Sequence, residues 1–275
     1  GVTVAMVSEI LRLDNHERRE VANIVCTAAG DRGPTILSIG AETTRLAVAF
    51  AEQAQSAGAT AVMAIPPLAV QALDRELEGY YVAILEAVDV PVVVQDASSY
   101  VGAPIPIDVL ARLHYRFPDR LYFKPEAQPI GPRLSALLGA TGGQARVYDG
   151  SGGVALIETF HRGIVGTMPG AEVCWAIVAM WRALGRGDEE TAYRLSLPLS
   201  ALLATQVGLD GYLAVEKHLL VKQKVFVSAG RRPPLGFELD DVTATHVDTL
   251  FDLLVAACER AGGAGPTVTS ESVER

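Results

Sequence analysis

Four lysines occur in the 275-residue chain, and Lys217, Lys222 and Lys224 fall together in one stretch of helical periodicity. The fourth, Lys124, ends the short apolar run Leu121-Tyr122-Phe123-Lys124, which Arg120 and Pro125 bound. An ammonium at the tip of a buried strand is costly to desolvate, and desolvation moves a lysine toward its neutral, nucleophilic amine. That form condenses with a ketone to a Schiff base. The competing reading is a partly buried lysine held in place by Glu126 or Asp96.

Positioning such a side chain requires a strand whose end opens on a shared site. Short β-branched runs recur at 2–6, 35–39, 61–65, 92–95, 121–124, 145–148 and 164–167, and stretches with apolar residues three and four apart follow them, as at 16–28, 44–57 and 74–87. Asp14, Thr43 and Asp74 are the expected caps. Strands apolar on both faces belong to a parallel sheet covered by helices. The fold class is therefore α/β, a TIM (β/α)8-type barrel with its first β/α element missing, because seven strands are visible where eight are needed. After Gly170 the pattern turns helical at 174–184, 189–206, 212–225 and 241–261. We expect a barrel domain at 1–170, a C-terminal helical extension at 171–261 and a disordered tail at 262–275.

In a parallel barrel the C-terminal strand ends converge on one mouth. They bring Glu9, Pro66-Pro67, Gln95 and Asp96, Lys124 and Glu126, Tyr148 and Asp149, and Thr167 to Gly170. Gln95 and Asp96 are adjacent on a strand, so only one of them faces the interior. Ser151-Gly152-Gly153 reads as a tight turn rather than a phosphate loop.

The bulk numbers narrow the partners. A net charge of −9 with scattered basic residues argues against nucleic acid or an anionic membrane. Cys26, Cys174 and Cys258 are far apart without CxxC spacing and read as buried thiols in a reducing cytoplasm. The five histidines do not cluster, so no metal site is expected. No basic n-region followed by an apolar core opens the chain. The most apolar stretch, 163–181, contains Glu172 and is broken by Pro169-Gly170, which excludes a membrane span.

Several blocks carry a resemblance. Gly1-Val2-Thr3-Val4-Ala5-Met6-Val7-Ser8-Glu9 with Arg12-Leu13 and Glu17-Arg18, then Gly58-Ala59-Thr60-Ala61, Val90-Pro91-Val92-Val93-Val94-Gln95, Tyr122-Phe123-Lys124-Pro125-Glu126 and Gly163-Ile164-Val165-Gly166-Thr167-Met168-Pro169-Gly170 follow one another in order. Together they resemble the dihydrodipicolinate synthase and N-acetylneuraminate lyase superfamily over nearly the whole chain. The resemblance implies a class I lyase or aldolase in which Lys124 forms an imine with pyruvate or another 2-oxo acid. The backbone around Val7 and Ser8 would hold the carboxylate, and Gln95, Tyr148 and Thr167 would contact substrate. It also implies a homo-oligomer, dimer or tetramer, with an aldehyde as a possible second substrate and no cofactor, since the lysine is the electron sink.

The departures from the family are informative. Synthase members carry a tyrosine at Gln95, a threonine near Met6 and an arginine near Tyr100, so this chain is expected not to be dihydrodipicolinate synthase itself. A replacement acid or base is then required, and Asp96, Tyr100, Glu126 and Tyr148 are the candidates. A sugar-acid dehydratase of the same superfamily and a non-catalytic homologue binding a 2-oxo acid or a protein partner are the alternatives.

Overall fold

The structure is a computed structural model and describes residues 1–98 and 102–266. Tyr100 and the tail from 267 onward lie outside the described residues. The fold is α/β and divides into two compact units, Gly1–Gly150 with Arg162–Gly166, and Ser151–His161 with the chain from Thr167 onward.

Strands β1 (Val2–Val4), β2 (Thr35–Ser38), β3 (Ala61–Ala64), β4 (Val92–Asp96) and β5 (Leu121–Pro125) form a sheet in sequence order. Every pairing in it is parallel. A bridge from Phe123 to Val147 continues the order toward β6 (Tyr148–Asp149), which pairs with β7 (Gly166–Thr167). The last two strands are shorter than the apolar runs imply. Only their final residues enter a ladder, although Val165 donates its amide to the Val147 carbonyl at 2.8 Å. Strands β3 and β4 are buried at every position, because helices cover a parallel sheet and leave its strands no solvated face.

The helices of the first unit are α1 (Asn15–Ala29), α2 (Thr44–Ser56), α3 (Asp74–Ala87), α4 (Ile107–Arg116) and α5 (Ile130–Ala140). Asp14 caps α1 through the amides of His16 and Glu17, and Glu17 returns a bond to the Asp14 amide, a capping box that fixes the helix start. Thr43 caps α2 at the Leu46 amide. Asp74 is not the cap expected of it. Leu73 takes that position, and Asp74 with Glu76 lies in the first turn, where a carboxylate favours the positive end of the helix dipole.

The second unit holds α6 (Leu156–His161), α7 (Cys174–Gly185), α8 (Glu189–Leu203), α9 (Gly208–Lys222) and α10 (Asp241–Arg260). Helix α7 turns Ala176, Ile177, Met180, Ala183 and Leu184 into the core, and its Trp175 meets Phe251 of α10 edge to face at 5.8 Å. Cys174 opens this helix off the core face and is exposed, against the expectation of a buried thiol, and Cys26 is only half-buried. Among the described residues no helix is long and apolar enough to cross a membrane.

One polar cluster interrupts this apolar packing. Glu172, fully buried just before α7, accepts a bond from Gln206 Nε2 at 2.7 Å, and its carbonyl accepts from Gln223 Nε2 at 3.0 Å and Trp175 Nε1 at 3.1 Å. Glu216 of α9 is bonded to the Tyr212 phenol and to the Ala171 amide. Gly170 makes room for the cluster, since a Cβ there would collide with Glu172 Oε2 and Tyr212 Oη.

Candidate active site

Strand alternation assembles the centre of the site. Glu126 follows the end of β5 two residues after Lys124, so the two side chains project to the same side, and Gln95 of β4 is the direct register partner of Lys124. All three are buried, at 5%, 4% and 2% exposure respectively. Lys124 Nζ donates to Glu126 Oε1 at 2.6 Å, and Gln95 Nε2 donates to Glu126 Oε2 at 2.8 Å. Each carboxylate oxygen therefore has its own donor. Pro125 has no N–H to offer the β4 edge, but the Glu126 amide bonds the Asp96 carbonyl at 2.9 Å and holds the strand end in register.

Of the two sequence readings of Lys124, an amine bared by burial or a lysine held by Glu126 or Asp96, the geometry shows the contact that the second names, with Glu126 as the partner. Burial of such a pair is tolerated where further hydrogen bonds compensate lost hydration, and Gln95 supplies one.

Gly150, at the end of β6, is a member of the site that sequence reasoning missed. A Cβ there would lie 2.5 Å from Glu126 Cγ and 2.9 Å from Glu126 Oε1. The missing side chain is what admits the carboxylate. A glycine closing a strand is the available signal for such a close approach.

Tyr148 stacks on Tyr122 with ring centroids 5.6 Å apart, and Arg146 lies 4.2 Å above the Tyr122 ring while bonding its hydroxyl at 3.0 Å. Burial, and then the neighbouring Tyr122, push the Tyr148 phenol up from its ordinary value. At neutral pH it is a donor rather than a base.

Asp96 faces away from Lys124, as the residue after Gln95 must. Its Oδ2 accepts from the Ile105 amide at 3.0 Å and lies 3.4 Å from Arg133 Nη2, and its Oδ1 accepts from the Ser98 amide at 3.2 Å. Arg133 also bonds the Ile105 carbonyl at 2.8 Å. Asp96 thus clamps the chain that leaves β4 and is not available to the lysine.

Val7 and Ser8 lie in the turn Met6–Ser8 just past β1, at the same end of the sheet as Lys124 but on its far edge strand. The Ser8 amide donates to the Ala5 carbonyl at 2.9 Å and the Ala5 amide donates to Ser8 Oγ at 3.2 Å, so both amides are engaged in the turn itself. Thr167 ends β7, as the first residue of the second unit's main segment. A cleft lined by Val4, Ile10, Arg18, Leu37, Phe50 and Ala54 lies between α1, α2 and the first two strands, and none of the lysine cluster borders it. Arg18 fills it structurally, bonding the Ile10 and Gly40 carbonyls and lying over Phe50. Among the described residues no group of three or more His, Cys, Asp or Glu could hold a metal ion.

The family model of the dihydrodipicolinate synthetase family matches residues 5–247. The chain belongs to that family. Its relatives include the L-2-keto-3-deoxyarabonate dehydratase of Azospirillum brasilense, 27% identical over 262 residues, which cover 92% of this chain and 81% of that enzyme. The 4-hydroxy-tetrahydrodipicolinate synthase of Bartonella quintana is 24% identical over 194 residues, covering 70% of this chain and only 66% of that enzyme. Among solved structures, the 4-hydroxy-tetrahydrodipicolinate synthase of Methylacidiphilum fumariolicum SolV has the same fold, with a TM-score of 0.86, 19% identity and coverage of 95% of this chain and 87% of that one. YagE from E. coli K12, of the same family and solved in complex with pyruvate, superposes with a TM-score of 0.80 at 19% identity, covering 91% and 85%. The likeness to these structures gives the chain the α/β, TIM-barrel-like fold of that family.

Proposed function

We propose that the protein is a class I lyase in which Lys124 forms an imine with pyruvate or a related 2-oxo acid, and in which Glu126 carries the protons. The observation that supports this most directly is the buried Lys124–Glu126–Gln95 cluster at the C-terminal end of parallel strands. Moving one proton across the 2.6 Å contact turns the ammonium and carboxylate into an amine and a carboxylic acid without changing the net charge of the buried site. The amine then attacks the C2 carbonyl, the carbinolamine loses water, and the protonated imine results. A carboxylate at the position of Glu126 can next take a proton from C3, with the electron pair passing to the imine nitrogen as an enamine. The same group, now an acid, can protonate a leaving hydroxyl.

That last capacity favours a second reading within the class. Elimination of water from a hydroxylated 2-oxo acid can use one carboxyl group as base and then as acid, and one relative given above, 27% identical over 92% of this chain, is a dehydratase. Aldol cleavage or condensation uses the same imine and remains the broader proposal. A cytoplasmic homo-oligomer, dimer or tetramer, is proposed on the family likeness, and light scattering after size exclusion tests the assembly.

The deciding experiment is reductive trapping. Incubation with pyruvate and borohydride should give a covalent adduct by intact mass that is absent from Lys124→Ala. Absence of an adduct from the wild-type protein with every 2-oxo acid tried would refute the lyase. A panel of sugar acids and 4-hydroxy-2-oxo acids then separates dehydration from aldol chemistry.

A further inference from the structure

Gln95 leaves an acceptor without a donor at the centre of the site. Its carboxamide nitrogen is committed to Glu126 Oε2 at 2.8 Å, and that bond fixes the direction in which the amide points. Its Oε1 is buried and has no partner among the described residues. The neighbours along β4, Val93 and Val94, are apolar and 1% exposed, so the strand supplies nothing to satisfy it. Leaving a buried acceptor without a donor is costly, and an acceptor so left calls for a partner such as a bound molecule or an ordered water.

We infer that Gln95 is a specificity-determining residue whose carboxamide oxygen accepts a hydrogen bond from a hydroxyl on the substrate, so that the site selects hydroxylated 2-oxo acids over unsubstituted ones. The inference rests on the imine reading given above. The protein donors in the cluster are already placed. Lys124 points its nitrogen at Glu126, and an iminium formed there keeps a single N–H, with the same carboxylate beside it. A keto oxygen, a carboxylate or a methyl group has no proton to donate to Oε1, and a chain hydroxyl does. The residue directly opposite Lys124 in register is suitably placed to read the first carbons beyond the imine. A carboxamide also does not titrate, so this position recognises substrate and leaves proton transfer to Glu126.

The test measures trapping efficiency, as adduct formed by intact mass against acid concentration under borohydride, for the matched pair 4-hydroxy-2-oxobutanoate and 2-oxobutanoate. Wild-type protein should prefer the hydroxylated acid by roughly ten- to a hundredfold, expressed in half-saturation rather than in the maximal rate. In Gln95→Met, similar in size but without an oxygen acceptor, the ratio should fall to near one, while Gln95→Glu, which keeps an oxygen, should retain part of it. Equal trapping of the two acids by wild-type protein overturns the inference even if neither variant folds, and it is the result expected if an ordered water satisfies Oε1. A preference that survives in Gln95→Met overturns it as well. Absence of any adduct with either acid is a different failure, since it removes the imine reading itself and this inference with it.

Discussion

Lys124 Nζ lies 2.6 Å from Glu126 Oε1, and only Pro125, the last residue of β5, separates the two along the chain. Under the proposed mechanism that contact is the path of the proton. Glu126→Gln preserves shape and hydrogen-bonding capacity but cannot accept it. Steady-state turnover should fall by about 10²–10⁴-fold and trapping should slow as well, since the carboxylate that takes the lysine's proton is gone, but a borohydride adduct still forms because the lysine is intact. Loss of the adduct in a folded Glu126→Gln would contradict this division of labour.

Gly150 should tolerate no side chain. In Gly150→Ala the new methyl meets Glu126 Cγ at 2.5 Å and must push the carboxylate away from Lys124. We expect about 1–3 kcal/mol of destabilisation in urea titration. Turnover should drop at least tenfold, of the order seen when a reacting group is displaced by about an ångström.

Asp96 should matter for stability and not for the lysine. Asp96→Ala leaves the Ile105 amide without its acceptor and Arg133 without its carboxylate, at a cost of about 1–3 kcal/mol. Trapping at Lys124, measured below the unfolding transition, should be unchanged. A trapping rate that falls tenfold in the folded variant would return Asp96 to the chemistry.

The buried carboxyl groups of the second unit set a pH dependence. Burial, and then the Glu172 carboxyl, push Glu216 up from 4.5 to about 8, and burial raises Glu172 too. Between these pH values the folded state holds a proton that the unfolded chain has released, so stability is complete below 4.5 and declines as pH rises through about 8. The slope from one such group approaches about 1.4 kcal/mol per pH unit. Urea midpoints measured from pH 4.5 to 8.5 should show the decline, and Glu216→Gln should flatten it and raise stability at the alkaline end. A midpoint that rises with pH across this window would show the carboxyls to be ionised in the fold.

Much of this architecture is legible in the chain because it depends on neighbours in sequence. Continuous apolar runs mark β1 to β5, and a lysine ending one of them marks the site. Alternation then allows only one of Gln95 and Asp96 on the lysine's face. What depends on contacts between strands is not legible. The space that Gly150 leaves for Glu126 exists only once β5 and β6 lie side by side, and the orphaned oxygen of Gln95 only once its nitrogen has found Glu126. The shortening of β6 and β7 has a similar origin, since a ladder ends where the partner strand ends, whatever the apolar run suggests. The exposure of Cys174 is not legible either, because a thiol's burial follows from which side of α7 meets α8 and α10, and composition carries no such information.

The proposed nucleophile lies on β5 and the proposed proton carrier just past its end, two residues on, so both side chains leave one short segment of chain toward the same side. Under the proposed mechanism the pair is carried by three consecutive residues, with Gly150 and Gln95 completing its setting. Substitution of Gln95 on the adjoining strand would then alter both which molecules are accepted and, through its bond to Glu126 Oε2, how the proposed proton carrier is held.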